Sequence, residues 1–111
     1  MSLEISTVKQ ALMQKGFEKI FVVESRHDCV LLLIEFKGVN ILTGIYKGLH
    51  SIYAKVVRAD DLLEPYWRCD YLEYVPQGLY TFSESKNIEE LAQKIVAKAE
   101  IIIKRSSQGI E

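Results

Sequence analysis

The stretch from Cys29 to Phe36 most constrains what this chain can fold into. It reads Cys-Val-Leu-Leu-Leu-Ile-Glu-Phe, and its first six residues carry no charge. A strand with one face in water alternates apolar and polar residues, and this stretch does not. It is too short to cross a bilayer, and turn-forming residues flank it on both sides. We therefore predict a strand that is covered on both of its faces.

The composition is that of one ordinary globular domain spanning residues 1–111, with 49% hydrophobic and 26% charged residues. A net charge of −1 argues against a surface adapted as a whole to nucleic acid or to acidic membranes. Cys29 and Cys69 lie in apolar runs without a Cys-x-x-Cys pair, so we interpret both as reduced and buried. With no signal-peptide pattern and no apolar run of membrane-spanning length, we expect a cytoplasmic protein without a membrane partner.

The periodicity of the chain predicts two terminal helices around a series of strands. Gly16 ends a helix over residues 5–15, and Asn87, with Glu90 three residues later, begins the last helix. Residues 49–58 combine helical spacing with β-favouring residue types; a strand is favoured there, and the helix stays open. One helical turn is expected over residues 60–65. The other predicted strands cover residues 17–24, 29–36, 41–47, 66–75 and 79–82.

These elements predict an α+β fold in two layers. The short connections favour an antiparallel meander of five or six strands. The N- and C-terminal helices each carry an apolar stripe, and we expect both to pack on one face of that sheet.

The strand register sorts the apolar residues onto two faces. We expect Glu24 to pair with Cys29 and Phe36 to pair with Ile41. The bulkier face, assigned to the helices, holds Phe17, Phe21, Val23, Val30, Leu32, Ile34, Phe36, Ile41 and Ile45. The second face holds Ile20, Val22, Cys29, Leu31, Leu33, Leu42, Gly44 and Tyr46. Closure of the sheet within the chain, a second subunit or a ligand could each cover this second face.

Glu35 and Lys37 match the Glu-x-Lys spacing of a nuclease strand, which also requires an upstream aspartate. Asp28 would stand roughly 23 Å from Glu35 along the same strand, too far to share a metal ion. We therefore favour a solvated charge cluster in which Glu35 faces Glu18. The alternative is a small metal-dependent hydrolase that uses Glu35, Lys37 and an acid from residues 60–64.

No other pattern predicts a catalytic, metal or cofactor site. His27 and His50 lack metal-ligand spacing, and we interpret His50 and Cys69 as unrelated rather than as a catalytic pair. The glycines are not gathered into a phosphate-binding loop. We expect no metal, no cofactor and no catalytic residue.

The aromatic run over residues 66–75 is the densest candidate for binding. If it is a strand, alternation places Tyr66, Arg68, Leu72 and Tyr74 on a half-exposed face, and we predict these four as the binding residues. Base stacking by single-stranded nucleic acid is a weaker alternative, disfavoured by Asp70 and Glu73 nearby. The sequence thus predicts a small cytosolic protein-binding or adaptor module rather than an enzyme, with a homodimer or another protein as its partner.

Overall fold

A computed structural model describes residues 4–62, 67–84 and 87–108 of the chain. Five antiparallel strands form one sheet in the order β1-β2-β3-β4-β5, which confirms the predicted α+β meander. The strands are β1 Lys19–Ser25, β2 Cys29–Phe36, β3 Val39–Lys47, β4 Ile52–Arg58 and β5 Leu79–Ser83. The helices are α1 Ile5–Gln14, α2 Cys69–Tyr74 and α3 Ile88–Gln108, and Ala59–Asp61 forms a 3-10 turn.

The two terminal helices pack on one face of the sheet, as predicted. Val8 and Leu12 of α1 and Leu91 and Ile95 of α3 are buried against the strands. Each such side chain contributes on the order of 1.5–3 kcal/mol when it leaves water. Asn87 begins α3 as predicted, because its side-chain oxygen accepts the backbone N–H groups of Glu89 and Glu90, two and three residues later, at 2.9 and 3.1 Å.

A tight hairpin joins β2 to β3. Lys37 and Gly38 both adopt left-handed φ angles, of 53° and 79°, which is the geometry of a two-residue hairpin turn. Phe36 therefore pairs with Val39, and the predicted pairing with Ile41 was wrong by two residues. Because that shift is even, the predicted face of each β2 and β3 residue is unchanged.

A β-bulge at Val23 changes the faces of β1. Glu24 pairs with Leu31, not with Cys29 as predicted, whereas Val22 pairs with Leu32, so Val23 is an extra residue. One inserted residue reverses the facing of every residue before it.

The bulge makes the predicted faces of Ile20, Phe21 and Val22 wrong, because Val22 pairs with Leu32 of the helix side. Ile20 joins the core beneath the helices. Phe21 lies opposite Leu33 on the other face and is 60% exposed. The bulge also brings Lys19 opposite Glu35, where Glu18 was predicted.

The strand predicted over residues 66–75 is also wrong, because Cys69–Tyr74 is the helix α2. Residues 63–66, with the end of the helical turn predicted at 60–65, lie outside the described residues. Cys69 and Leu72 are three residues apart and both buried, so helical spacing puts them on one side of α2. Burial of that side outweighs the β propensity of the aromatic residues.

The chain itself covers the second face of the sheet. The 3-10 turn and α2 lie over β2, β3 and β4, and they enclose a second apolar cluster. Its buried members are Cys29, Leu31, Leu42, Tyr46, Val57, Ala59, Cys69 and Leu72. The cover is none of the three considered from the sequence, since the sheet of described strands does not close on itself and a helix and a turn of the same chain lie on it. The prediction that β2 is covered on both faces is confirmed.

A disulfide joins β2 to α2. Cys29 and Cys69 are bonded to each other with their Cα atoms 6.4 Å apart, so the interpretation of both cysteines as reduced was wrong. The 40-residue separation hides this pairing from the sequence, because only the packing of α2 on β2 brings the two residues together. Within the described ranges, none of the helices has the length and apolar character that crossing a bilayer requires.

Candidate protein-binding surface

Helix α2 is held on the sheet at its first residue. The backbone N–H of Cys69 donates to Oε1 of Glu24 at 2.7 Å, and the hydroxyl of Tyr46 donates to the carbonyl of Cys69 at 2.8 Å. Both backbone polar groups of Cys69 are thus satisfied beside its disulfide bond. Arg26 adds two hydrogen bonds to the carboxylate of Asp70, at 3.1 and 3.3 Å, on the exposed rim. This end of α2 is fixed to β1, β2 and β3 together.

The other end of α2 is held by three side chains from β4 and β5. The Tyr53 hydroxyl donates to the carboxylate of Glu73, and the Tyr80 hydroxyl donates to the Glu73 carbonyl. The ammonium of Lys55 donates to the carbonyl of Val75, and it also lies 4.9 Å from the centroid of the Tyr80 ring. Lys55 is only 1% exposed, so its charge depends on these contacts for its solvation.

Burial and Glu73 control the protonation of this cluster. Burial raises the pKa of Tyr46, of Tyr53 and of Tyr80, and the negative charge of Glu73 raises each of them further. Burial lowers the pKa of Lys55, and Glu73 opposes that shift. The three hydroxyls therefore remain protonated donors at neutral pH, which is the state that their hydrogen bonds to α2 require.

Aromatic side chains gather on the outer side of this cluster. Tyr74, at the end of α2, is 81% exposed, and Tyr80 and Phe82 of β5 are each about half exposed. The strand register places Phe82 opposite the half-buried Tyr53, and Tyr80 contacts Glu73, the residue before Tyr74. We call these four residues, Tyr53, Tyr74, Tyr80 and Phe82, the aromatic surface.

A shallow groove continues the aromatic surface along α2. Its volume is about 580 Å³, and Tyr74 belongs to both the groove and the surface. The lining residues are Asp70, Tyr71, Tyr74, Val75, Pro76 and Gln77. An apolar recess beside exposed aromatic rings is the arrangement that receives an anchoring side chain of a partner protein.

The structure separates the four binding residues predicted from the sequence. Tyr74 lies in the aromatic surface, and Arg68 is exposed just before α2. Leu72 is 1% exposed and packs against the sheet, so it is a core residue and presents no surface to a partner. Tyr66 lies outside the described residues. The helical geometry of α2 is the reason that Leu72 and Tyr74 face different ways.

Sequence reasoning missed Tyr80 and Phe82. The signal was present, because Leu79-Tyr80-Thr81-Phe82-Ser83 alternates and its two aromatic residues must share one face of a strand. Their proximity to Tyr74 was not visible, since it depends on how α2 crosses the sheet.

The opposite end of the sheet carries the charges considered for hydrolysis. Glu35 lies 3.2 Å from Lys19, and Lys37 lies 3.5 Å from Glu100, so each has an ion-pair partner. They border a cleft of about 410 Å³ together with Gly16, Glu18, Phe36 and Gly38. In the 3-10 turn, Asp61 pairs with Arg58 at 2.7 Å. Among the described residues, no three histidines, cysteines or acidic groups come together in a way that could hold a metal ion.

Comparisons with protein-family models, with curated proteins and with solved structures gave no match to this chain.

Proposed function

We propose that this chain is a small protein-binding or adaptor module that forms a homodimer, and that the aromatic surface binds its protein partner. The observation that carries the proposal is the exposure of Tyr74 at the end of α2 together with Tyr80 and Phe82 on β5. Tyrosine and other aromatic residues are enriched at protein interfaces because they bury a large area at a small cost in side-chain entropy.

The hydrogen bonds beneath this surface support the proposal. Tyr53 and Tyr80 both bind Glu73, and Lys55 binds the chain just beyond α2. These contacts fix the rings of Tyr53 and Tyr80 before any partner arrives, so binding has to immobilise fewer side chains. Asp70 and Glu73 beside the rings disfavour a nucleic-acid backbone at the same place.

We keep the cytoplasm as the proposed location, although structural disulfides are rare there and the Cys29–Cys69 bond counts against it. Neither Cys29 nor Cys69 has exposed surface. A soluble thiol reaches the bond only after α2 moves away from the sheet, so burial slows the reduction of the disulfide once it has formed.

Site-specific photo-crosslinking tests the proposal. A photoreactive phenylalanine replaces Tyr74 in the full chain, in the cells from which the protein comes. We expect one defined protein adduct on irradiation. The matched control carries the same group at Gln93, which is exposed on α3. Equal adduct patterns at the two positions would contradict a binding role for the aromatic surface.

Titration with an oligonucleotide tests the alternative that the aromatic surface binds single-stranded nucleic acid. The aromatic surface predicts no salt-dependent affinity for a single-stranded oligonucleotide, because the rings are flanked by acidic residues. Binding that weakens steeply with salt would favour base stacking by the same rings.

A further inference from the structure

We propose that two copies of this chain pair through β1, antiparallel and about a two-fold axis at Phe21, and so join their sheets into one. The inference rests on the homodimer in the proposed function, and it assigns that dimer a surface separate from the aromatic surface. Its partner is a second copy of this chain.

Strand β1 is an edge of the sheet and exposes apolar side chains. Among the strands of the described residues its one neighbour is β2, so in that part of the chain its outer backbone edge is open to another strand. Phe21, Val22 and Val23 are consecutive and are all exposed, with Phe21 the most open of them. An exposed apolar edge strand is a template for strand addition.

The other edge of the sheet is less suited to this. At β5, the ammonium of Lys94 donates to the carbonyl of Phe82 at 2.9 Å and lies 5.6 Å from the centre of its ring. A lysine that occupies an edge carbonyl competes with an incoming strand. The two edges are therefore unequal, and β1 is the one that favours strand addition.

The charges of β1 select a second copy and its direction. The strand begins with Lys19, whose side chain is 65% exposed beside Glu35 at 3.2 Å. It carries Glu24 near its end, where, in the described part of the chain, only Oε1 is used, to accept the Cys69 N–H. An antiparallel copy brings each Lys19 to the Glu24 of its neighbour, whereas a parallel copy would place like charges together. The strand is thus self-complementary in one orientation alone.

The β-bulge fixes the register. With Phe21 opposite Phe21 of the second copy, Ile20 lies opposite the bulged pair Val22 and Val23. Within the chain, the bulge makes the step from Val22 to Glu24 match a single step on β2, from Leu32 to Leu31. Across the two copies, the same extra residue places Lys19 opposite Glu24 of the second copy.

The same register keeps side-chain faces consistent across the pair. Ile20 and Val22 face the helices in each copy, because they pair with Ile34 and Leu32, which belong to the core beneath α1 and α3. Phe21 points to the second face in both copies. A register moved by one residue would place helix-side residues opposite second-face residues, and it would separate Lys19 from Glu24.

Cysteine cross-linking at the axis tests the register. Directly opposed residues of antiparallel strands have Cβ atoms about 4.5–5.5 Å apart, close to what a disulfide requires. We expect Phe21→Cys to form, on mild oxidation, a covalent dimer of twice the 12.7 kDa chain mass. Met13→Cys, at an exposed site on α1, is the matched control. Cross-linking of Phe21→Cys no greater than that of the control would overturn the proposal.

Light scattering on the uncross-linked protein separates the inference from the rest of the proposed function. A pair of seven-residue strands is a small interface, so we expect a reversible dimer. Its dissociation constant should lie between about 1 µM and about 1 mM. Phe21→Lys should leave a folded monomer, and Lys19→Glu should weaken the dimer while Lys104→Glu does not.

Two other outcomes of the light scattering would overturn the β1 pairing. A wild-type monomer at every concentration would overturn both the β1 pairing and the homodimer. A dimer that survives Phe21→Lys but dissociates in Tyr74→Ser/Phe82→Ser would overturn the β1 pairing alone, and it would assign self-association to the aromatic surface.

Discussion

The carboxylate of Glu24 accepts the backbone N–H of Cys69 at 2.7 Å, across 45 residues of sequence. This contact depends on the bulge at Val23. In an unbroken strand Ile20 and Glu24 would face the same side of the sheet. The extra residue lets Ile20 join the core beneath the helices while Glu24 turns to α2. One irregularity in β1 therefore serves both faces of the sheet.

The Cys29–Cys69 disulfide predicts a measurable loss of stability when it is removed. Cys29→Ser/Cys69→Ser should lower the free energy of unfolding by about 2–4 kcal/mol, because the unfolded chain regains its freedom. Denaturant titration measures this loss. Amide exchange should rise first in residues 67–78, which the bond holds on the sheet.

The same disulfide has a direct chemical check. Alkylation of the protein in denaturant without a reductant should label neither Cys29 nor Cys69, and intact mass shows the result. Labelling of both residues in the unfolded, unreduced chain would contradict the disulfide.

The hydroxyl of Tyr46 should matter more than an exposed tyrosine hydroxyl. Tyr46→Phe removes the side-chain donor to the Cys69 carbonyl, which keeps only its bond within the helix, so we expect a loss of about 0.5–1.5 kcal/mol in the free energy of unfolding. Tyr74→Phe is the matched control, and we expect it to change stability by less than about 0.5 kcal/mol. Equal losses in the two variants would count against this role of Tyr46.

Alkaline pH should destabilise the fold. The pKa of Tyr46, Tyr53 and Tyr80 is raised above the ordinary value of 10.0, so these hydroxyls ionise first in the unfolded chain. The folded state then binds more protons, and its stability falls as pH rises. The lowered pKa of Lys55 acts in the opposite direction over the range below its ordinary value of 10.5. Because three tyrosines oppose one lysine, we expect the free energy of unfolding to decrease above about pH 10.

Urea midpoints on either side of this pH measure the effect. Tyr53→Phe removes one of the three hydroxyls, so its midpoint should fall less steeply than that of the wild type. A wild-type midpoint that stays level or rises through this range would contradict the raised tyrosine pKa values.

Gly44 is required by the ring of Tyr46. A Cβ atom at position 44 would lie 2.6 Å from the Tyr46 hydroxyl oxygen and 2.9 Å from two ring carbons. Gly44→Ala should therefore cost about 1–3 kcal/mol of stability, by displacing the ring from α2. Combining Gly44→Ala with Tyr46→Val should give less than the sum of the two losses. Additive losses would show that the ring does not set the requirement for glycine.

Local patterns predicted most of the fold. The uncharged run of β2, the capped start of α3 and the short connections act over few residues, and each appeared as expected. The bulge in β1 could not be predicted in this way. Ile20 and Phe21 are both apolar, so either of them could be assigned to the face beneath the helices. The disulfide and the helical form of α2 arise from packing between distant segments, so β propensity misassigned residues 69–74.

The candidate site was predictable in part for the same reason. Tyr74 was identified from its aromatic run, and Tyr80 and Phe82 could have been found from their alternation. Leu72 was misplaced, because a strand and a helix present different residues to solvent. That these side chains lie near one another depends on where the end of α2 meets side chains of β4 and β5, which no short pattern encodes.

Binding of the partner recovered by cross-linking at Tyr74 tests the central claim most directly. Titration calorimetry compares the wild type with Tyr74→Ser/Phe82→Ser, using Gln93→Ser on α3 as the control outside both proposed interfaces. We predict that the double variant loses affinity by about tenfold or more, as expected for exposed aromatic anchors, and that Gln93→Ser binds the partner like the wild type. Unchanged affinity in a folded Tyr74→Ser/Phe82→Ser protein would contradict the account.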